Sequence, residues 1–214
     1  MSSSNQAGVP ANHFDNRARD WDSNPVFQDR AHKIADAIRA AVRLGKSMSA
    51  LDYGCGTGLL SFPLKDELGR ITLKDTSTGM LEVLREKIAD QGVTNMIVKQ
   101  VDLTAEPLPE ERYDLIYSSM TLHHIPNTGH ILEVFHALLN AGGTLCIADL
   151  DQEDGSFHGE GFDVHHGFDR AELAAKARAA GFAEVEFSTV FEIVKQQENG
   201  ERAYPVFLMV ARKG

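Results

Sequence analysis

The chain reads as an α/β protein built on a doubly wound parallel sheet with helices on both faces. Three observations predict this. Five apolar runs suited to strands alternate with segments of helical period. The first run leads into Leu51-Asp52-Tyr53-Gly54-Cys55-Gly56-Thr57-Gly58, with glycines at alternate positions between a strand and a helix. An acid, Asp75, closes the second run. Glycines in such a turn remove side chains where the backbone must bend sharply and a ligand must come close.

The 214 residues suffice for one domain with a substantial core. A net charge of -10 opposes non-specific binding to nucleic acid. No apolar run is long enough to span a bilayer, and the polar, Ser-rich start lacks the features of a signal peptide. The two cysteines, Cys55 and Cys146, fall in or beside core strands and suit a reducing, cytoplasmic setting. Residues 1–11 read as a disordered tail and 12–214 as a single domain, with N-terminal helices or a lid over 12–45 and a substrate-side insertion over 151–168.

Phe14, Ala18 and Trp21 share one face of a short helix, either packed at the domain edge or covering a ligand. Asn24-Pro25 starts a second helix, with a capping residue ahead of a proline at the first helical position. Ile34, Ala35, Ile38, Ala41 and Val42 form its buried stripe, and Gly45 is read as its end. A strand over 48–53 follows, then a helix from Gly58 to about Leu68, then a strand over 70–75. Ser77 caps a helix that ends at Gly92. Strands are expected over 96–101 and 113–119, a helix over 127–140 closed by Ala141-Gly142-Gly143, and a strand over 144–150. Asp169 with Glu172 suggests a capping box for a helix reaching Ala180. Strands over 183–194 and 204–212, joined by a Gln-Glu-Asn-Gly turn, complete the chain.

The glycine spacing is G-x-G-x-G rather than the G-x-G-x-x-G of dinucleotide binders. With Asp52 before it and Asp75 after the next strand, the stretch resembles motif I of the class I S-adenosylmethionine (SAM) dependent methyltransferases. The segment Ser118-Ser119-Met120-Thr121-Leu122-His123-His124-Ile125-Pro126 also resembles the part of small-molecule methyltransferases that lines the methyl-transfer site. The resemblance covers about residues 50–150. It implies a Rossmann-like, seven-stranded, mostly parallel sheet whose last strand is antiparallel, SAM as cofactor and a small-molecule methyl acceptor.

The resemblance also implies roles. Asp75 would accept the ribose hydroxyls, with Thr76 beside the adenine edge. Asp102 would face the adenine amino group, with Val101 and Leu103 against its rings; the other reading of Asp102 is a turn residue. Asp52, Gly54, Cys55 and Gly56 would face the methionine moiety, with Ser118 as a further acceptor for its ammonium. Its carboxylate suits donors near the helix opening at Gly58, or Arg17 if the first helix folds over. Trp21 would touch the cofactor in the lid reading.

His123 and His124 are candidates for a base that takes a proton from a hydroxyl or thiol acceptor; either could instead be a hydrogen-bonded histidine at a strand end. His158, His165 and His166 lie in a segment rich in histidine and acids, expected at the carboxyl edge of the sheet. They are assigned to the substrate pocket, with loop-ordering hydrogen bonds as the alternative. Metal ligation is the third reading, although their spacing matches no closed zinc site and no metal is assigned. Two rival functions remain at this stage, a non-catalytic SAM-binding module and a nicotinamide-dependent oxidoreductase.

Overall fold

The computed structural model describes residues 14–158, 163–197 and 200–214. The expected tail over 1–11 lies outside them. Seven strands form one sheet: β1 (Ser49–Tyr53), β2 (Arg70–Asp75), β3 (Met96–Gln100), β4 (Tyr113–Ser119), β5 (Leu139–Leu150), β6 (Phe182–Gln197) and β7 (Gly200–Lys213). Their order is β3-β2-β1-β4-β5-β7-β6. β7 is antiparallel to both β5 and β6, while the first five strands pair in parallel. The chain winds outward from β1 to β3 and returns to the other side of β1 at β4. That reversal opens a crevice at the carboxyl ends of β1 and β4, where ligands bind in open α/β sheets.

Alternate residues of the central strands feed two cores, one on each face. Ala50, Leu115 and Tyr117 join Ile34, Ile38, Leu64, Leu81 and Leu84 on one side. Leu51, Tyr53 and Ile116 join Ile131, Leu132, Phe135 and Leu173 on the other. The helices are α1 (Ala18–Trp21), α2 (Pro25–Ala41), α3 (Ser61–Leu64), α4 (Thr78–Asp90), α5 (Thr128–Leu138) and α6 (Arg170–Ala179). Three caps form at their expected places, Asn24, Ser77 and Asp169, and Asn127, expected as the first helical residue, is a fourth; each accepts a backbone N–H of the following turn.

Four boundaries differ from expectation. α3 is far shorter than 58–68, because Gly58 is left-handed at φ +81° and Pro63 brings no N–H. α2 ends at Ala41 rather than Gly45, because Val42 turns extended and buries its side chain. β5 begins at Leu139: the glycine turn is absorbed as an irregularity, with a register shift opposite Tyr113/Leu115. The final hairpin is longer at both ends, since polar residues such as Lys195 and Arg202 still pair across it.

Lys74, on β2 next to the edge strand β3, is 1% exposed. Its ammonium reaches Glu111 at 3.2 Å, and Glu111 also receives Lys99 and the Tyr113 hydroxyl. The Lys99 ammonium, against the cost of burial, and then Lys74 hold the Glu111 carboxyl down at about 2. Removing one partner of such a pair costs more than removing both. Glu111→Ala is therefore expected to lose roughly 1–3 kcal/mol in urea unfolding, and adding Lys74→Met to recover most of it. A double variant no more stable than the single one would contradict this account.

Candidate functional site

A cleft of about 400 Å³ opens at the crevice. Asp52, Tyr53, Gly54, Cys55, Gly56 and Thr57 form its floor at the end of β1. Gly54 has φ +70°, and a Cβ there would lie 2.2 Å from the Thr121 hydroxyl, so only glycine lets the two loops meet. Gly58 faces away from the cleft; a Cβ on it would strike Leu84 of α4 at 2.7 Å.

Asp75 joins this turn to the next helix. One of its oxygens accepts the Gly56 N–H at 2.7 Å and the other the Ser77 N–H at 2.9 Å. Burial raises its pKa despite these donors. Thr76, Met80, Asp102 and Thr104 continue the wall. The Asp102 carboxylate accepts the Thr104 N–H and hydroxyl, so Asp102 is a turn-former as well as a cleft residue. Its neighbour Leu103 points into the core, and Val101 packs against that core.

Asp52 is 2% exposed and accepts the Ser61 hydroxyl at 2.6 Å; Ser61 in turn meets Tyr117. Burial, only partly offset by Ser61, pushes the Asp52 carboxyl up to about 7. Burial also keeps the Cys55 thiol protonated, with the charge of Asp52 adding to the effect.

The other wall belongs to β4 and its exit. Ser118 gives its hydroxyl to the Tyr53 carbonyl and is buried between strands, so Ser119 takes its place in the cleft. Met120 follows at φ +54°, a left-handed conformation unusual for a side-chain-bearing residue, and lines the cleft with Thr121, His124, Ile125 and Pro126.

The roof comes from the amino-terminal segment. Phe14, Trp21 and Phe27 line it in edge-on and tilted contacts, and Phe14 meets the His124 ring at 5.4 Å. Two acids strap it down. Asp15 accepts the Ser77 hydroxyl and the Gly79 N–H at the amino end of α4, which lower its pKa. Asp22 accepts Thr57 and Lys87, each at 2.5 Å. Arg17 lies outside the cleft, exposed, with its guanidinium over the Trp21 ring. Arg30 of α2 lines the cleft instead, stacked on Phe27. Burial lowers it only to about 10, so it stays a cation at neutral pH. Asp15, Asp22, Phe27 and Arg30 carried no signal in the sequence beyond their residue types.

The histidines divide. His124 borders the cleft, whereas His123 is 1% exposed behind it. The His123 ring contacts Asp149 at 2.7 Å, and Asp149 also accepts the N–H groups of Leu150 and His123. Burial alone would raise the Asp149 carboxyl, but His123 and these N–H groups outweigh it and hold it below the ordinary range. His158 comes back to the same place, its ring centroid 4.8 Å from that of His123. Burial and the neighbouring His123 pull its pKa down to about 4, leaving it neutral at pH 7. His165 and His166 do not reach the cleft. His165 braces the turn after β4 through the His123 and Ile125 carbonyls, and the His166 ring packs under Gly155.

Residues 44–207 match the methyltransferase domain family. The chain belongs to that family. Its class I, SAM-dependent members are the ones it resembles, and S-adenosylmethionine is its cofactor. It is 30% identical over 138 residues to malonyl-[acyl-carrier protein] O-methyltransferase 1 of Ilyobacter polytropus, covering 63% of this chain and 49% of that one. It is 28% identical over 133 residues to demethylmenaquinone methyltransferase of Listeria monocytogenes, covering 60% and 56%. The chain thus spans about half the length of these relatives. Phosphoethanolamine N-methyltransferase 2 of Haemonchus contortus, solved with phosphomonomethylethanolamine and S-adenosylhomocysteine, shares the fold at a TM-score of 0.70 and 16% identity, over 85% of this chain and 52% of that one.

The geometry of this chain fits the cofactor. The floor of the cleft is glycine backbone, an acid braced by two N–H groups stands at its edge, and aromatic rings cover it.

Asp52 gives a pH test. Its folded pKa, about 7, lies above the ordinary 3.8. The stability tied to the protonated form is therefore full below 3.8 and is lost as pH rises through about 7. Without ligand, Asp52→Asn should gain on the parent chain between those values, by on the order of 1–4 kcal/mol in urea unfolding. A difference that does not grow with pH would contradict the buried acid.

Proposed function

We propose that this chain moves the methyl group of S-adenosylmethionine by direct displacement to an oxygen, nitrogen, sulfur or carbon atom of a small molecule. The observation that carries the reading is the Gly56–Asp75 hydrogen bond, which fixes the glycine turn and the ribose-side acid to one another beside the cleft. When bound, the cofactor supplies a methyl carbon already activated by a sulfonium, so the protein contributes mainly position and exclusion of water.

Asp75 retains lone pairs for the ribose hydroxyls beyond the two N–H groups it holds. Thr76, Asp102 and Thr104 would border the adenine, and Asp52 with the Gly54 carbonyl the ammonium. Arg30 is the cation of the cleft and takes the role of partner to the methionine carboxylate. An ammonium beside Asp52 favours its charged form, so binding near pH 7 would release a proton.

The aromatic roof within residues 12–45 acts as a lid, and the acceptor enters at the histidine end, bordered by residues 151–168. An acceptor hydroxyl or thiol would give up its proton there, to His124 at the cleft wall or to solvent water. A small acceptor suits a roofed cleft of about 400 Å³, and the malonyl and demethylmenaquinone relatives by name also act on non-nucleic-acid acceptors. The net charge of -10 and two buried free thiols accord with a cytoplasmic enzyme without a nucleic-acid partner.

Calorimetry with S-adenosylhomocysteine and NAD tests the donor. The homocysteine ligand should bind one per chain, at least tenfold more weakly to Asp75→Ala and to Arg30→Gln, and about equally to Arg17→Gln. Preferential binding of NAD would make the chain an oxidoreductase. Tight binding with no transfer in a broad screen of thiols, phenols, amines and carboxylates would make it a non-catalytic module.

A further inference from the structure

We propose that His123, His124 and His158 form a site for a divalent transition-metal ion of the zinc or cobalt type at the acceptor end of the cleft. Two segments meet to build it. His123 and His124 lie on the 3-10 turn Leu122–His124 that follows β4, and His158 lies beyond β5. One ligating atom from each lies within 4.8 Å of the other two. Ring centroids are 4.0 Å apart for His123 and His124, 4.8 Å for His123 and His158, and 5.7 Å for His124 and His158. Imidazole nitrogens about 2.0–2.1 Å from a tetrahedral zinc sit roughly 3.3 Å from one another, so modest side-chain rotations close the set.

The surroundings orient these rings. Asp149, 0% exposed, lies 2.7 Å from Nδ1 of His123. Donation from Nδ1–H to that carboxylate leaves the Nε2 lone pair for a ligand, the arrangement in which a carboxylate fixes a metal-binding histidine. His165 holds the same turn from outside, through the His123 and Ile125 carbonyls. The turn carrying His158 is clamped from several sides. Glu153 accepts the Gly155 and Phe157 N–H groups, Lys195 donates to the Phe157 carbonyl at 2.5 Å, and Ser156 meets the Tyr204 hydroxyl at 2.7 Å.

Three imidazoles are a donor set suited to zinc, cobalt, nickel or copper, and three protein ligands leave one position open. His124 borders the cleft, so the ion would adjoin its acceptor end. An ion there would lower the pKa of an arriving hydroxyl or thiol. This narrows the acceptor to an oxygen or sulfur nucleophile and, on this point alone, rests on the methyltransferase reading. Linear sequence hides the site, because His158 lies 34 positions after His124.

The 214-residue chain, stripped with chelator, is titrated with Co2+ alone while its visible absorption is followed, and with Zn2+ by calorimetry. One ion per chain should bind, with the intense bands of low-coordinate cobalt. His158→Gln and His124→Gln should each weaken binding at least tenfold, and Asp149→Asn by about 10–100-fold. Exposed His130→Gln should leave it unchanged. S-adenosylhomocysteine binding, measured on the same samples, reports both the folding of each variant and the separate question of the cofactor. Absence of saturable binding at one ion per chain would overturn the metal site, as would affinity that survives both His158→Gln and His124→Gln in folded protein.

Discussion

The bond between the Gly56 N–H and the Asp75 carboxylate is the constraint on which the rest of the cleft depends. It closes a circuit between β1 and β2 one step beyond the Gly54 and Cys55 N–H groups, which both donate to the Lys74 carbonyl. The other oxygen of Asp75 holds the Ser77 N–H, just where Ser77 caps α4. One half-buried carboxylate thus sets the shape of the glycine turn and the position of a helix amino end. Both are surfaces that a cofactor with hydroxyls and charged ends requires. The close approach of Gly54 to Thr121 extends the same frame to β4, across the reversal of strand order.

The first part of the roof, residues 14–22, hangs on this frame, while Phe27 and Arg30 ride on α2, whose Ile34 and Ile38 lie in the core. Asp15 accepts the Ser77 hydroxyl and the Gly79 N–H, so the roof is fastened to the same helix end that Asp75 positions. Asp22 fastens it a second time, to Thr57 of the glycine turn and to Lys87 of α4. Anions at the amino end of a helix are favoured by its unsatisfied N–H groups. These polar fastenings leave Phe14, Trp21 and Phe27 to cover the cleft with aromatic surface while Arg30 brings in a cation.

Much of this was legible in the chain because it is local. Strand alternation, three capping residues and the glycine spacing report on neighbours a few positions apart, and they located the sheet and the floor of the cleft. Asp52, Gly54, Cys55, Gly56, Asp75, Thr76, Asp102, Trp21 and His124 all border the cleft. The misplacements have physical causes. Ser118 and Ser119 differ only in which face of β4 they occupy, and a pattern of period two turns on a single residue. Arg17 and Arg30 lie on helices whose orientation across the cleft is a tertiary property. Val101 and Leu103 flank Asp102 but turn toward the core. The meeting of His158 with His123 and His124 required two loops to converge, and Lys74 became intelligible only once Glu111 was seen beside it.

Under the proposed reading the cleft has a nucleoside end at Asp75 and Asp102 and an acceptor end at the histidines. Hydrogen exchange of the backbone amides, with and without S-adenosylhomocysteine, reads both ends and the lid in one experiment. Protection on ligand binding should concentrate in residues 14–22, 52–58, 75–80, 102–104 and 119–121, with the far hairpin of β6 and β7 unchanged. Protection confined to other regions, or none at saturating ligand, would contradict the assignment of this cleft as the cofactor site.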